Sequence, residues 1–323
     1  MNKYTKAGLT ALAGSLVAVS AAQADWSVSG AGKMSYTSKG GKSDTTNGLG
    51  GRFGMDRSIS VASSMEMDNG WAVSTAYTID GVAESQSNLK VDMGAMGALE
   101  YNQGDGAIGI SKIDDTLPTA DEESWNGFAA GIANGRVKHS SVVGFNYSNA
   151  VSDMVTLNVG YKPTGAANQG TGALTGSSAS SEMSVALTAT PMDGLTVYAG
   201  TGEKSGATIG ANDDLQVLAA NYALGAITVG VSLTEIDSTT SSRAYETTGM
   251  AVAYAINENL SVSYSDRTVD RGSVTVDEEQ NGLSIGYSMG GMTIKGHHNT
   301  LDNSNGVAGT DHEHTEIAVS FAF

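Results

Sequence analysis

The feature that most limits the fold is an alternation of apolar with small or polar residues that returns in segment after segment. Trp26, Val28, Met34 and Tyr36 alternate with Ser27, Ser29, Lys33, Ser35 and Thr37. Trp71, Val73, Tyr77 and Ile79 alternate with Ala72, Ser74 and Thr78. The same pattern carries Val155, Leu157, Val159 and Tyr161, then Ile227, Val229, Val231 and Leu233, then Leu283, Ile285, Tyr287 and Met289. It closes the chain with Ile317, Val319, Phe321 and Phe323. A strand repeats every two residues, so each set occupies one face. One face is large and apolar. The other is Ser, Thr, Gly, Asn and Lys, and cannot fill a dry core, which argues against two sheets packed face to face. Apolar outside and polar inside is the layout of a closed sheet in a membrane, because hydrocarbon offers no partner to an open strand edge.

Composition narrows the choice further. The chain of 323 residues has 42 Gly and 3 Pro, which suits many strands and turns and argues against a helical bundle or an α/β enzyme. A hydrophobic share of 40% is too high for disorder. The absence of Cys removes disulfides, thiolate metal ligands and Cys nucleophiles. A net charge of −17 argues against nucleic acid as a partner. No apolar run long enough for a membrane helix occurs after the first two dozen positions.

Those first positions read as an address. Lys3 and Lys6 precede a short uncharged apolar core from Ala7 to Val19, and Ala22-Gln23-Ala24 is a small-x-small cleavage site. Residues 1–24 are therefore expected to be a signal peptide, cut between Ala24 and Asp25. Cleavage removes two lysines and no acid, leaving residues 25–323 two units more negative.

The connections carry a second signal. Short turns are predicted near 68–70, 94–97, 148–153, 192–194, 225–226, 257–259 and 290–291. Longer Gly, Ser, Thr and Asp stretches fall near 38–48, 81–87, 163–181, 202–213, 238–243, 271–280 and 301–313. The stretch 105–135 is much the longest. Short and long connections alternate, which predicts sixteen strands in an all-β, antiparallel transmembrane barrel. Sixteen strands of about 11 residues fit within the mature length, and such a barrel encloses water.

The chain resembles the general porins of Gram-negative bacteria, the sixteen-stranded trimeric kind of photosynthetic and related proteobacteria. The resemblance covers residues 25–323. It rests on the signal ending Ala22-Gln23-Ala24, the opening strand from Trp26 to Tyr36, the turn Asp68-Asn69-Gly70, the long loop after the fifth strand, and the terminal Phe323. It implies an outer-membrane channel for small hydrophilic solutes and ions, seated in outer-membrane lipid. It also implies a homotrimer, with Gly30, Gly32 and Gly54 fitting the contact. The aromatic strand with Phe321 and Phe323 would be read by the barrel-assembly machinery. In that family the long loop folds inward and narrows the pore.

On that reading Asp114, Asp115, Asp121, Glu122 and Glu123 of the loop are the candidate constriction acids. Alternation puts Lys33, Lys90, Arg136, Lys138 and Lys162 on the lumen side as facing bases, with Arg52 joining them. Arg57 shares the outward face with Ile59. Opposed charges of this kind set which ions pass, and the surplus of acids predicts a modest cation preference. His297-His298 and His312-x-His314 do not make a metal site, because adjacent His face opposite sides of a strand and the second pair falls in a predicted loop. Gly104-Asp105-Gly106 and Gly170-Thr171-Gly172 lack a strand–turn–helix context for phosphate. No cofactor and no catalytic triad is expected. A substrate-specific channel and a surface adhesin or structural barrel are the alternatives.

Overall fold

A computed structural model describes residues 25–41, 50–104, 107–128, 137–138, 142–163, 181–205, 212–239, 244–272, 274 and 276–323. Among these, sixteen antiparallel strands close into one barrel in which each pairs with its sequence neighbours and the last pairs with the first. The first five are β1 (Asp25–Gly40), β2 (Gly50–Glu66), β3 (Ala72–Asp80), β4 (Ala83–Asp92) and β5 (Ala98–Gly104). After the long connection come β6 (Val142–Ser152), β7 (Val155–Lys162), β8 (Glu182–Met192), β9 (Leu195–Ser205) and β10 (Asn212–Leu224). The rest are β11 (Ile227–Ser238), β12 (Tyr245–Ala255), β13 (Leu260–Asp270), β14 (Glu278–Met289), β15 (Met292–Asp302) and β16 (His312–Ala322).

The predicted alternation matches the two faces of this wall. Trp26, Val28, Met34, Phe53, Met55 and Ile59 stand outward and exposed, with Phe53 at 80%. A side-chain period of two fixes the register, because a slip by one residue would turn every apolar group into the lumen. Closure is made by Lys33, which pairs with Ser320 in β16, and by mutual backbone bonds between Gly30 and Phe323 of 3.1 and 2.8 Å. Phe321 and Phe323 both lie on the outer surface, the latter 85% exposed. Tyr36–Phe53 and Tyr101–Phe145 pack as outward aromatic pairs, with ring centroids 5.2 and 4.9 Å apart. Such pairs suit the aromatic girdle at a membrane border.

The seven short turns fall where predicted, within a few residues. One of the longer connections does not. Residues 81–87 were expected to loop, yet β3 and β4 are joined only by Gly81 and Val82. Gly81 takes φ +62°, which a tight turn needs and only glycine adopts freely. A register shift at Thr78/Ile79 absorbs the change, so polar residues from Ala83 onward pair as strand. Residues 1–24, including Ala24, lie outside the described residues; Asp25 opens β1.

Candidate functional site

The chain leaves β5 at Gly104 and runs inside the barrel, not out into solvent. Successive strands of the wall hold successive pieces of it. Gly109 N–H donates to Asn146 Oδ1 on β6, and Ile110 N–H donates to Ser184 Oγ on β8, both at 2.9 Å. Asn221 Nδ2 on β10 donates to the Thr116 carbonyl at 2.6 Å. Ala120 N–H donates to Ser263 Oγ on β13 at 2.8 Å. Ser284 Oγ on β14 donates to the Glu122 carbonyl at 3.1 Å. Asn299 Nδ2 on β15 donates to the carbonyls of Glu123 and Asn126 at 2.8 and 3.1 Å. The loop thus sweeps the inner surface from β6 round to β16.

Its close approach depends on inward positions that carry no side chain. A Cβ at Gly160 would lie 2.6 Å from Gly109 N, one at Gly249 would lie 2.9 Å from Leu117 Cδ1, and one at Gly282 would lie 2.9 Å from Ser124 Cα. Gly144, Gly200 and Gly230 meet Ile108, Ile113 and Pro118 in the same way. Under the loop sits a dry core. Ile108, Ile110, Ile113 and Leu117 are buried, with Ile110 and Ile113 packed in one cluster with Val137, Ala186, Leu215 and Val217. Burying each large aliphatic side chain is worth about 1.5–3 kcal/mol, which is what holds an irregular backbone against the wall. The expectation of a wholly polar, water-facing inner surface fails here: Leu215, Val217, Val269 and Leu301 point inward and are buried.

The opposite sector stays wet. Inward residues of β1–β4, among them Lys33, Ser60, Ser74, Asn88 and Lys90, remain part-exposed. The passage therefore lies between these strands and the free face of the loop.

The candidate charges divide along the same line. Asp121, Glu122 and Glu123 sit together, part-exposed, where the loop reaches β13–β16. Asp121 is not a free pore carboxylate, because it accepts from His297 Nδ1 at 2.8 Å and lies 3.7 Å from Lys295 Nζ. Glu122 accepts from Asn126 Nδ2 at 2.6 Å. Burial first, then the charges of Glu123 and Asp121, push the Glu122 carboxyl above the usual carboxylate range. Asp114 and Asp115 lie further back, before Leu117-Pro118; Asp114 shares a small cavity with Trp125 and Arg267, whose guanidinium stacks 4.2 Å over the indole. The five acids are therefore two groups.

Of the bases, Lys33 faces the acids: it lies 2.7 Å from Glu316 and also feels the charges of Glu122 and Asp121. Arg52 occupies an exposed position opposite Thr37, on the inward parity of β2. Lys90 is inward on β4, 3.5 Å from Asp92. Lys162 is also inward, but it is buried in an ion pair with Glu182 at 3.1 Å and does not reach the water path. Lys138 lies exposed on the connection before β6, not on a strand as alternation suggested. Arg136 lies outside the described residues. His312 and His314 belong to β16, not to a loop, and His314 points inward against His297. Single-sequence alternation could have placed His314 on the inward parity of Ala318 and Glu316. It could not have shown that Asp121 would meet His297.

A closed barrel with an apolar outer surface, a charged wet sector and a loop packed across the rest of its interior defines an outer-membrane channel. The Gram-negative porin model matches residues 8–306, and the chain belongs to that family. A comparison with curated protein sequences finds no significant match. Among solved structures, a porin refined at 1.8 Å superposes with a TM-score of 0.68 at 16% identity, covering 93% of this chain and all of that one. A multiply substituted Rhodopseudomonas blastica porin, also at 16% identity, gives 0.67 with the same coverage of 93%. At that identity the likeness speaks for the fold. The family and the fold place the protein in the outer membrane as a porin channel.

Proposed function

We propose that the protein is a general diffusion channel for small hydrophilic solutes with a modest cation preference. The observation that carries this is the position of Asp121, Glu122 and Glu123 on the loop opposite Lys33, at the edge of the sector of β1–β4 whose inward side chains remain part-exposed. Charges more than about 8 Å from the ion path are screened at physiological salt. Selectivity then follows local balance, not the overall charge. Lys33 is offset by Glu316, and Asp121 is held by His297 and Lys295, so the Glu122 carboxylate, which accepts from neutral Asn126, tips the balance toward cations. Zero-current potentials in a salt gradient test this. The double variant Glu122→Gln with Glu123→Gln should move the potential toward anions, and an unchanged potential would remove the reading. A side-by-side trimer fits the outer wall of β1 and β2, where Gly30 and Gly32 leave gaps between exposed Val28, Met34, Phe53 and Met55; Gly54, expected at the same contact, instead has the inward parity of Arg52 and lies against Ser35. Unheated electrophoresis in mild detergent should then show three chains migrating together, and a single-chain band under all mild conditions would contradict the trimer.

A further inference from the structure

The strand repeat turns one arginine toward the membrane. Arg57 lies on β2 between outward Met55 and Ile59, opposite Gly32 on β1, whose missing side chain leaves it uncovered. Along the same outer wall Tyr36 and Phe53 lie beyond it toward the β1–β2 connection, and Val28 and Val61 toward the β2–β3 turn. Arg57 therefore falls inside the apolar band. Its N–H donates to Asp56 Oδ1 and its carbonyl accepts from Gly81 N–H, both at 2.8 Å. Among the described residues no side chain pairs with its guanidinium. A cation that faces hydrocarbon within a barrel wall is destabilising, which calls for another protein surface at this point.

The backbone beside it makes the same demand. β3 ends at Asp80, opposite Ser58, and the chain turns back through Gly81 and Val82. From Arg57 back to Gly50, β2 has a ladder only with β1 among the described residues. Backbone groups alternate between the two edges of a strand. Met55 and Phe53, two and four residues from Arg57, therefore aim their N–H and C=O toward the vacant side, and both side chains are strongly exposed. Hydrocarbon offers an open strand edge no partner.

Two strands away the same face carries the opposite charge. Glu84 on β4 pairs across Ile79, which pairs in turn with Ile59, so Glu84 shares their outward parity. Ser87 Oγ donates to Glu84 at 2.7 Å, and Ser87 stands opposite Gln103 on β5. Elsewhere the exposed outward positions are apolar, as at Leu218, Val231, Met250 and Ile285. An outer face with a guanidinium on one side and a carboxylate on the other complements a second copy of itself better than it complements lipid tails.

We propose, resting on the trimer put forward above, that Arg57 of one copy pairs with Glu84 of the next and that the neighbour's β4–β5 wall covers the open edge of β2. In a closed ring each contact joins two different patches of the subunit. The two partners must then lie on opposite halves of one face, and Arg57 on β2 and Glu84 on β4 meet that condition. Three such pairs close a ring of three and fix how each copy is turned against the next.

Charge exchange in the full chain tests the pair, on barrels extracted from membranes in mild detergent and shown to be folded by protease resistance. Arg57→Glu and Glu84→Arg should each abolish the three-chain species on unheated electrophoresis, and the double exchange should restore it. The chain has no Cys, so Arg57→Cys with Glu84→Cys gives a direct readout. Within one copy β3 separates the two sites by two strand spacings, about 10 Å, well beyond the Cβ separation of about 4 Å in a disulfide. Oxidation should therefore link chains into covalent trimers that a reductant dissolves. Chains that stay single on oxidation, or linked species that end at two, would overturn the pairing. Trimers that survive both single reversals would overturn it too, while leaving the trimer itself standing. Loss of a copurifying anionic lipid from Arg57→Glu, with trimers intact, would assign the guanidinium to a phosphate headgroup instead. A parent that runs as a single chain would remove the trimer and the pairing with it.

Discussion

The wall under the loop and the wall across the water from it are built from the same alternating strands, yet they do opposite things. On β6–β15 the inward positions are Gly, Asn and Ser that accept another piece of chain: Gly160 against Gly109, Asn146 and Asn299 against loop backbone, Leu215 and Val217 against Ile110 and Ile113. On β1–β4 they are Lys33, Ser60, Ser74 and Lys90, which stay in contact with water. Inward polarity alone does not mark a wet surface. A buried Asn or Ser in the packed sector is an anchor whose hydrogen bonds are needed because water has been removed, whereas the same residue in the open sector is a solvated lining.

The sharpest way to break the contrast is to unseat the loop. Replacing Ile110 and Ile113 together by Ala should cost about 2–5 kcal/mol for each side chain removed from a packed core. The barrel ladder should survive, while the loop becomes susceptible to protease and the conductance becomes larger and noisier. Ser60→Ala with Ser74→Ala in the open sector should leave protease resistance at the parent level. Equal sensitivity of the two variants would mean that the sectors do not differ as described.

A smaller effect separates two lysines that sequence alone treats alike. Lys162→Met takes one partner from the buried Glu182, where such a loss costs about 3–5 kcal/mol. It should lower the unfolding temperature in detergent and leave ion selectivity unchanged. Lys33→Met, at the edge of the water path, should do the reverse: little change in stability and a reversal potential moved toward cations. A selectivity shift in Lys162→Met would place that residue in the ion path after all.

The smallest expected effect concerns pH at low salt. The Glu122 carboxyl is raised above the usual range by burial and by its acidic neighbours. As pH falls it takes up its proton before an ordinary solvated carboxylate does, so cation preference should begin to decline at a higher pH than in Glu122→Gln. Superimposable pH profiles of the parent and Glu122→Gln would show that Glu122 carries no charge relevant to ions.

Much of the barrel is legible in the residues. The period of two gave the faces, the spacing of turn residues gave sixteen strands, and both survive in the structure because hydrocarbon on one side enforces them on every strand. The length and acidity of the segment after β5 also marked it as special. What the residues could not supply is its path. Leu215-Gln216-Val217-Leu218 reads as a blurred alternation until Ile110 and Ile113 are seen to cover Leu215 and Val217. Lys162 looks like any inward lysine until Glu182 is seen beside it, and Asp121 looks like its neighbours until His297, far away in the chain, takes its carboxylate. Local alternation determines which way a side chain points because the strand repeat is a property of the backbone. Whether that side chain then meets water, an ion or another segment is decided by contacts between distant residues, and those exist only once the barrel has closed around its loop.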